Sequence, residues 1–135
     1  MEDKEYASKI EDSFTKDLIE WKGFLPTDEF QEQLGRCRAF LNTPKWNEAY
    51  GNVIIEAMAC GVPVIAYDLG GPGELIEDGL NGFSVQPNDL EGMKKAIKSV
   101  SKIKRKNCRD WFEKNASNKV FAERVDAWIN KGLNG

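Results

Sequence analysis

The run Val62-Pro63-Val64-Ile65-Ala66-Tyr67 carries no charged side chain, and a strand of that composition belongs in a sheet covered on both faces. Pro63 near its start is compatible with this, because the first residue or so of a strand need not donate to a ladder. Directly before it stands Val53-Ile54-Ile55-Glu56-Ala57-Met58-Ala59-Cys60, apolar except for Glu56. This segment reads as a helix that starts near Gly51 and stops at Gly61. A helix feeding a doubly covered strand is the repeating unit of an α/β fold with a mostly parallel sheet.

The flanking sequence extends that pattern. Met1 to about Ser13 is charged, with Tyr6, Ile10 and Phe14 at helical spacing, and reads as a surface helix. Ile19-Glu20-Trp21-Lys22 alternates apolar and polar residues up to Gly23 and predicts a short strand. Thr27 is placed to cap a helix with Asp28 and Glu29 in its first turn and Phe30, Leu34 and Cys37 inward. A second strand is expected at Ala39–Asn42, closed by Thr43-Pro44, and a further one at Gly82–Val85. The turn Gly70-Gly71-Pro72-Gly73 leads into a short helix through Ile76, and Asp78-Gly79 marks another turn. Asn88 or Asp89 caps a helix to about Val100 with Met93, Ile97 and Val100 inward. Two more helices follow, the last with Phe121, Val125, Trp128 and Ile129 on one face. The expectation is one α/β domain over residues 1–135, with about four strands.

Composition narrows the chemistry. The chain of 135 residues is 41% hydrophobic and 30% charged, as a globular domain should be, and its net charge of -3 gives no overall field for nucleic acid. The basic stretch Lys102-Ile103-Lys104-Arg105-Lys106 reads as a solvated helix face, with membrane or polyanion contact as the other option. Cys37, Cys60 and Cys108 are widely spaced and suggest neither a disulfide framework nor a metal site, so a reducing cytoplasm is expected. There is no histidine, which removes Ser-His and Cys-His nucleophilic schemes and leaves carboxylates as the acid-base groups of this chain.

In an open parallel sheet, ligands bind beyond the carboxyl ends of the strands, where loops enter helices. Three loops fall there: Gly23-Phe24-Leu25, Thr43 to Gly51, and Gly70 to Glu74. A helix starting near Gly51 directs unpaired N–H groups at the cleft, a seat for a phosphate or a sugar hydroxyl. Glu48 precedes that helix and Glu56 lies within it, so two carboxylates could grip two parts of a hydroxyl-rich ligand, such as the vicinal diol of a ribose. Carboxylate catalysis of a glycosidase type is also open. So is a structural reading, with Glu48 stabilised by the helix dipole and Glu56 paired to a nearby Lys or Arg. The glycines at 70, 71 and 73 match no dinucleotide or P-loop fingerprint.

The segment Glu48-Ala49-Tyr50-Gly51-Asn52-Val53-Ile54-Ile55-Glu56-Ala57-Met58-Ala59-Cys60-Gly61-Val62-Pro63-Val64-Ile65-Ala66 resembles the E-x7-E block of retaining group 1 nucleotide-sugar glycosyltransferases, whose GT-B fold has two Rossmann-like domains. Gly70-Gly71-Pro72-Gly73-Glu74 and Asp78-Gly79-Leu80-Asn81-Gly82 resemble that family's two following turns, and Ile19 to Leu25 its base-seating strand and loop. The resemblance runs from about Ile19 to Val100. It implies a Rossmann-like three-layer domain, incomplete relative to the full GT-B C-terminal domain, that binds a nucleoside-diphosphate sugar without a required metal or other cofactor. Glu48 is then similar to the catalytic-site glutamate on the transferred sugar, and Glu56 to the ribose ligand. Gly51 and Asn52 would lie near sugar and diphosphate, and Phe24 and Leu25 near the base.

The chain departs from the family pattern at Ala49, where glycine is common, and in the order Pro72-Gly73. The resemblance also implies that the first strands of the C-terminal domain, the Arg/Lys residues that neutralise the diphosphate, and the acceptor domain all lie outside this chain. The expected function is therefore the donor-binding part of a glycosyltransferase, completed in cis or in trans, with the isolated chain inactive. Two alternatives stand beside it. One is a non-catalytic nucleotide-sugar or oligomerisation module on the same scaffold. The other is another sugar-nucleotide enzyme such as an epimerase. Family relatives also make association with a membrane surface an expectation to carry forward.

Overall fold

Val64–Tyr67 forms the central strand, β2, of a parallel sheet, with β1 (Phe40–Asn42) on one side and β3 (Gly82–Val85) on the other. The computed structural model describes residues 4–5, 8–9, 18–45 and 51–134. Helices α1 (Thr27–Gly35) and α2 (Asn52–Ala59) flank β1 in sequence, and α3 (Gly71–Leu75) joins β2 to β3. After β3 come α4 (Leu90–Ser99), a 3-10 turn (Val100–Lys102), α5 (Arg105–Asn115) and α6 (Asn118–Asn134).

The side chains of β2 alternate between two cores, which is why the run must be apolar throughout. Val64 and Ala66 pack with Leu34 of α1 and with Ile54, Ala57 and Met58 of α2. Ile65 points the other way, to Val85, Ala96, Val100, Ile103 and Cys108. Full burial of side chains such as Ile54, Met58 and Ile65 contributes about 1.5–3 kcal/mol each.

Three local devices fix the elements around this strand. Gly61 adopts φ +71°, its N–H bonds to the Met58 carbonyl, and the Val62 N–H bonds to the Ala57 carbonyl, so α2 ends in a Schellman motif that turns directly into β2. Gly82 lies so close to β2 that a Cβ there would fall 1.9 Å from the Val64 carbonyl oxygen. Asn81, fully buried, donates to the Leu75 carbonyl and accepts from the Glu77 N–H, so its amide closes the polar account of the α3–β3 turn.

The outer edge of β3 is also occupied at its start. The Asp78 carboxylate accepts the Ser84 N–H at 2.7 Å, and the Gly79 N–H donates to the Gly82 carbonyl. Asp89 caps α4 by accepting the Gly92 N–H at 2.9 Å.

Several expectations are corrected. Ile19–Lys22 is not a strand, and the sheet has three strands among the described residues rather than four. Among the described residues no strand lies alongside that segment to complete its backbone hydrogen bonds, and Leu18, Ile19 and Trp21 are exposed. Thr27 is the first residue of α1 rather than its cap, a position taken by Pro26. Cys37 and Ile97 are exposed, because α1 and α4 turn Leu34 and Ala96 to the core instead. In α6, Phe121, Trp128 and Ile129 are exposed and Val125 half-buried, since this helix meets the body of the domain mainly through α5. Residues 4–5 and 8–9 are helical, as expected, while Tyr6, Ile10 and Phe14 fall outside the described residues.

Two predictions follow from the packing. Gly82→Ala should destabilise the domain by more than about 3 kcal/mol in chemical denaturation, because the added methyl meets backbone rather than a movable side chain. Burial pushes the Cys108 thiol up from 9.0 to about 11, against a smaller opposing effect of Arg105. A group raised in the folded state stabilises below its unfolded pKa and loses that contribution above it. Denaturation midpoints should therefore fall as pH rises from 9.0 towards 11, and Cys108→Ala should flatten that decline.

Candidate functional site

The α2 helix presents two different faces. Ile54, Ala57 and Met58 are fully buried, whereas Asn52 and Val53 are exposed and Glu56 is half-buried. Asn52 and Glu56 are four residues apart, hence one turn and about 6 Å along the same outward edge. The helix begins at Gly51, whose φ of +81° is costly for a residue with a Cβ. Its first-turn N–H groups at Asn52 and Val53 have no intrahelical acceptor by construction, and they carry the positive end of the helix dipole.

Gly51 is packed as well as twisted. A Cβ there would stand 3.3 Å from Ile54 Cδ1 and 3.6 Å from both Leu75 and Pro72, so the glycine brings the start of α2 against α3. The Gly70 turn thereby meets the α2 N-terminus. Gly70 itself has φ +69°, and Pro72 is buried in the first turn of α3, so the order Pro72-Gly73 still enters a helix. Asp68, at the carboxyl end of β2, fills the space a Gly73 side chain would need, with Oδ1 2.0 Å from that Cβ position. The only sign of Asp68 in the sequence is its place as the first charged residue after an apolar strand.

Glu56 has no hydrogen-bond or ion-pair partner for its carboxylate among the described residues. The ion pairs there involve other acids: Glu5, Glu20, Glu32, Glu91, Asp110 and Glu113. The structural alternative, a Lys or Arg beside Glu56, is not what the described residues show. From Trp46 to Met93 the sequence contains eight carboxylates and no Lys or Arg. Among the described residues no group of three or more His, Cys, Asp or Glu is placed to hold a metal ion.

The helix that carries Glu56 is fixed from its far end. Arg109 of α5 donates Nη1–H to the Ala59 carbonyl at 2.7 Å, and its guanidinium lies 5.1 Å from the Phe112 ring centroid. Arg105 donates to the Cys37 and Gly35 carbonyls at the end of α1. Both arginines thus satisfy carbonyls at helix C-termini, where the dipole is negative.

The structure sets Gly51 against Pro72 and Leu75 of α3, and Asn52 and Glu56 follow it along the outward edge of α2. It does not gather every expected residue. Phe24 is 97% exposed and Leu25 half-buried ahead of α1, so neither forms a packed wall for a base. Glu48 lies outside the described residues. A cleft of about 440 Å³ opens between β3 and α4, lined by Asp78, Ser84, Asp89 and Lys95 among others, and it shares no residue with α2.

A short parallel sheet with helices on both faces, joined by helices that cross from strand to strand, defines a Rossmann-like α/β domain. Residues 1–130 match the sequence model of the family described as Glycosyl transferases group 1, and the chain belongs to that family. It is 35% identical over 99 residues to a sucrose synthase of Acidithiobacillus caldus, a match covering 70% of this chain and 12% of that protein. Its fold matches sucrose-phosphate synthase from Thermosynechococcus elongatus with a TM-score of 0.80 and 21% identity, over 97% of this chain and 34% of that one. The Anabaena protein HepE, solved in complex with UDP-glucose, matches with a TM-score of 0.68 and 24% identity over 93% and 38% of the two chains. The chain thus spans between 12% and 38% of the length of these relatives.

Arg109→Ala should lower stability by about 1–2 kcal/mol, since it leaves a helix-end carbonyl without its charged donor. Hydrogen exchange should then rise in the last turn of α2 ahead of β2. Equal protection in both segments would show that the clamp does not hold this helix.

Proposed function

We propose that this chain is the donor-binding part of a group 1 glycosyltransferase, holding a nucleoside-diphosphate sugar at the start of α2. In this reading Glu56 accepts hydrogen bonds from the ribose hydroxyls and Glu48 contacts the transferred sugar. The N–H groups at Gly51 and Asn52 face the sugar and diphosphate, and Phe24 and Leu25 approach the base. The observation that carries it is the half-buried Glu56 carboxylate, on a helix otherwise committed to the core, with no protein partner among the described residues. A carboxylate there is favourable only with water or a ligand to donate to it. HepE, seen with UDP-glucose, supports a nucleotide sugar as that ligand.

The complete enzyme would move the sugar to an acceptor with retention of configuration, by electrostatic stabilisation of the departing diphosphate. Segment 46–93 carries eight carboxylates and no cation, so it repels rather than neutralises two phosphates. The neutralising cations and the acceptor site belong to the rest of the enzyme, in cis or in trans. Three free thiols fit a reducing compartment. A second reading, a non-catalytic module that binds a partner, is favoured by the exposed Phe121, Trp128 and Leu133 of α6.

Thermal shift with UDP, GDP and ADP, free and as sugar conjugates, separates the two. One nucleotide should raise the unfolding temperature of the wild type, and Glu56→Ala should weaken its binding by about 10–100-fold, the loss of two charge-assisted hydrogen bonds. If no nucleotide stabilises the wild type, donor binding is wrong; if Glu56→Ala binds equally well, the ribose role is wrong. The purified chain should transfer no sugar, and robust transfer would overturn the division of labour.

A further inference from the structure

The charge of this chain is not spread evenly. Residues 94–109 contain eight of its nineteen Lys and Arg and none of its 22 acids, so this stretch carries +8 and the remainder -11. The stretch is the second half of α4, the 3-10 turn and the start of α5. Three of its cations are committed within the fold: Arg105 and Arg109 to helix-end carbonyls, and Lys106 to Asp110 at 2.7 Å. Lys94 pairs with Glu91 in an exposed contact of 3.3 Å, which is weak in water. Lys95, Lys98, Lys102 and Lys104 are exposed and have no partner among the described residues.

The geometry of α4 adds an apolar component. Ala96 and Val100 face the core. At about 100° per residue, Lys94 and Lys98 fall on the opposite side, one turn apart. Leu90 and Ile97 lie two turns apart on the adjoining strip, and they are 69% and 43% exposed. An outward helix edge with lysines beside exposed aliphatic side chains is the arrangement that sits at a lipid headgroup boundary. We propose that this edge of α4, continued by Lys102 and Lys104, docks the domain on an anionic membrane surface. A soluble phosphate polymer would satisfy the lysines but offers no apolar phase to Leu90 and Ile97. The negative remainder of the chain, at -11, is repelled by the same surface, so one orientation is selected. Of the acids at the start of α4, Asp89 accepts the Gly92 N–H, and the single charge of Glu91 is outnumbered by Lys94, Lys95, Lys98, Lys102 and Lys104.

The proposal stands independently of donor binding, and its test uses no nucleotide. The full chain is sedimented with unilamellar vesicles of phosphatidylcholine, with or without about 30% phosphatidylglycerol, at about 50 and about 500 mM salt. Binding should appear with the anionic vesicles at low salt and be lost at high salt. The double variant Lys98→Glu/Lys102→Glu should lose binding at least tenfold, at about fivefold per lysine removed from the surface. Leu90→Ser/Ile97→Ser should weaken binding severalfold while leaving elution from a heparin column unchanged. All four positions are exposed, so both variants should unfold at the wild-type temperature. No binding to anionic vesicles overturns the proposal, and so does retention on heparin without vesicle binding. Vesicle binding indifferent to Leu90 and Ile97 overturns the insertion of this edge.

Discussion

The spacing between the Val64 carbonyl and the bare Cα of Gly82 governs much of this domain. With a hydrogen in place of a side chain, β3 can close on β2, and the two ladders then hold Val64, Ile65 and Ala66 in register with Gly82, Phe83 and Ser84. That register sends Ile65 to one core and its two neighbours to the other. Each core in turn recruits helices, and α2 is held against β2 by the residues that β2 turns towards it. The outward face of α2, where Glu56 stands, is what remains once that packing is complete. The candidate site is in this sense the complement of the core.

Rigidity at the site comes from the opposite end of the helices. Arg105 and Arg109 reach from one turn of α5 to the C-terminal carbonyls of α1 and α2, joining residues about 50 to 70 positions apart in sequence. Together with the Schellman turn at Gly61, Arg109 fixes α2 at its negative end, while Asn52 and Val53 at the positive end stay exposed. In the proposed role, a helix anchored this way would offer the donor preoriented N–H groups that need not reorganise on binding.

The parts legible in the sequence are those set by neighbours in the chain. The uninterrupted apolar run predicts β2, the glycine at 61 its entry turn, and the pair Asn88-Asp89 the cap of α4, which the structure gives to Asp89. Asn52 and Glu56 share one helix and Gly51 directly precedes it, so their grouping needs only a helical period. Ile19–Lys22 has the alternation of a strand, but alternation does not supply the neighbour that a strand requires. The periodic face of α6 was likewise visible without any indication of what lies against it. The two arginine clamps and the Gly82 contact depend on distant partners and leave no local pattern. Phe24 and Leu25 stand on a loop the strand pattern marks as a candidate, family likeness alone gives them a role near the base, and packing does not draw them to α2. Glu48 lies beyond the described residues, so its role rests on that likeness.

The turn at Asp78 bears on how such a domain can be built into something larger. By taking the Ser84 N–H with its carboxylate and offering the Gly79 N–H to the Gly82 carbonyl, it spends the outward-facing groups at the start of β3. A strand arriving there would have to displace a charged acceptor before making its first pair. The sheet is therefore sealed on one flank, and its growth has a direction: additional strands must be laid down from the side of β1.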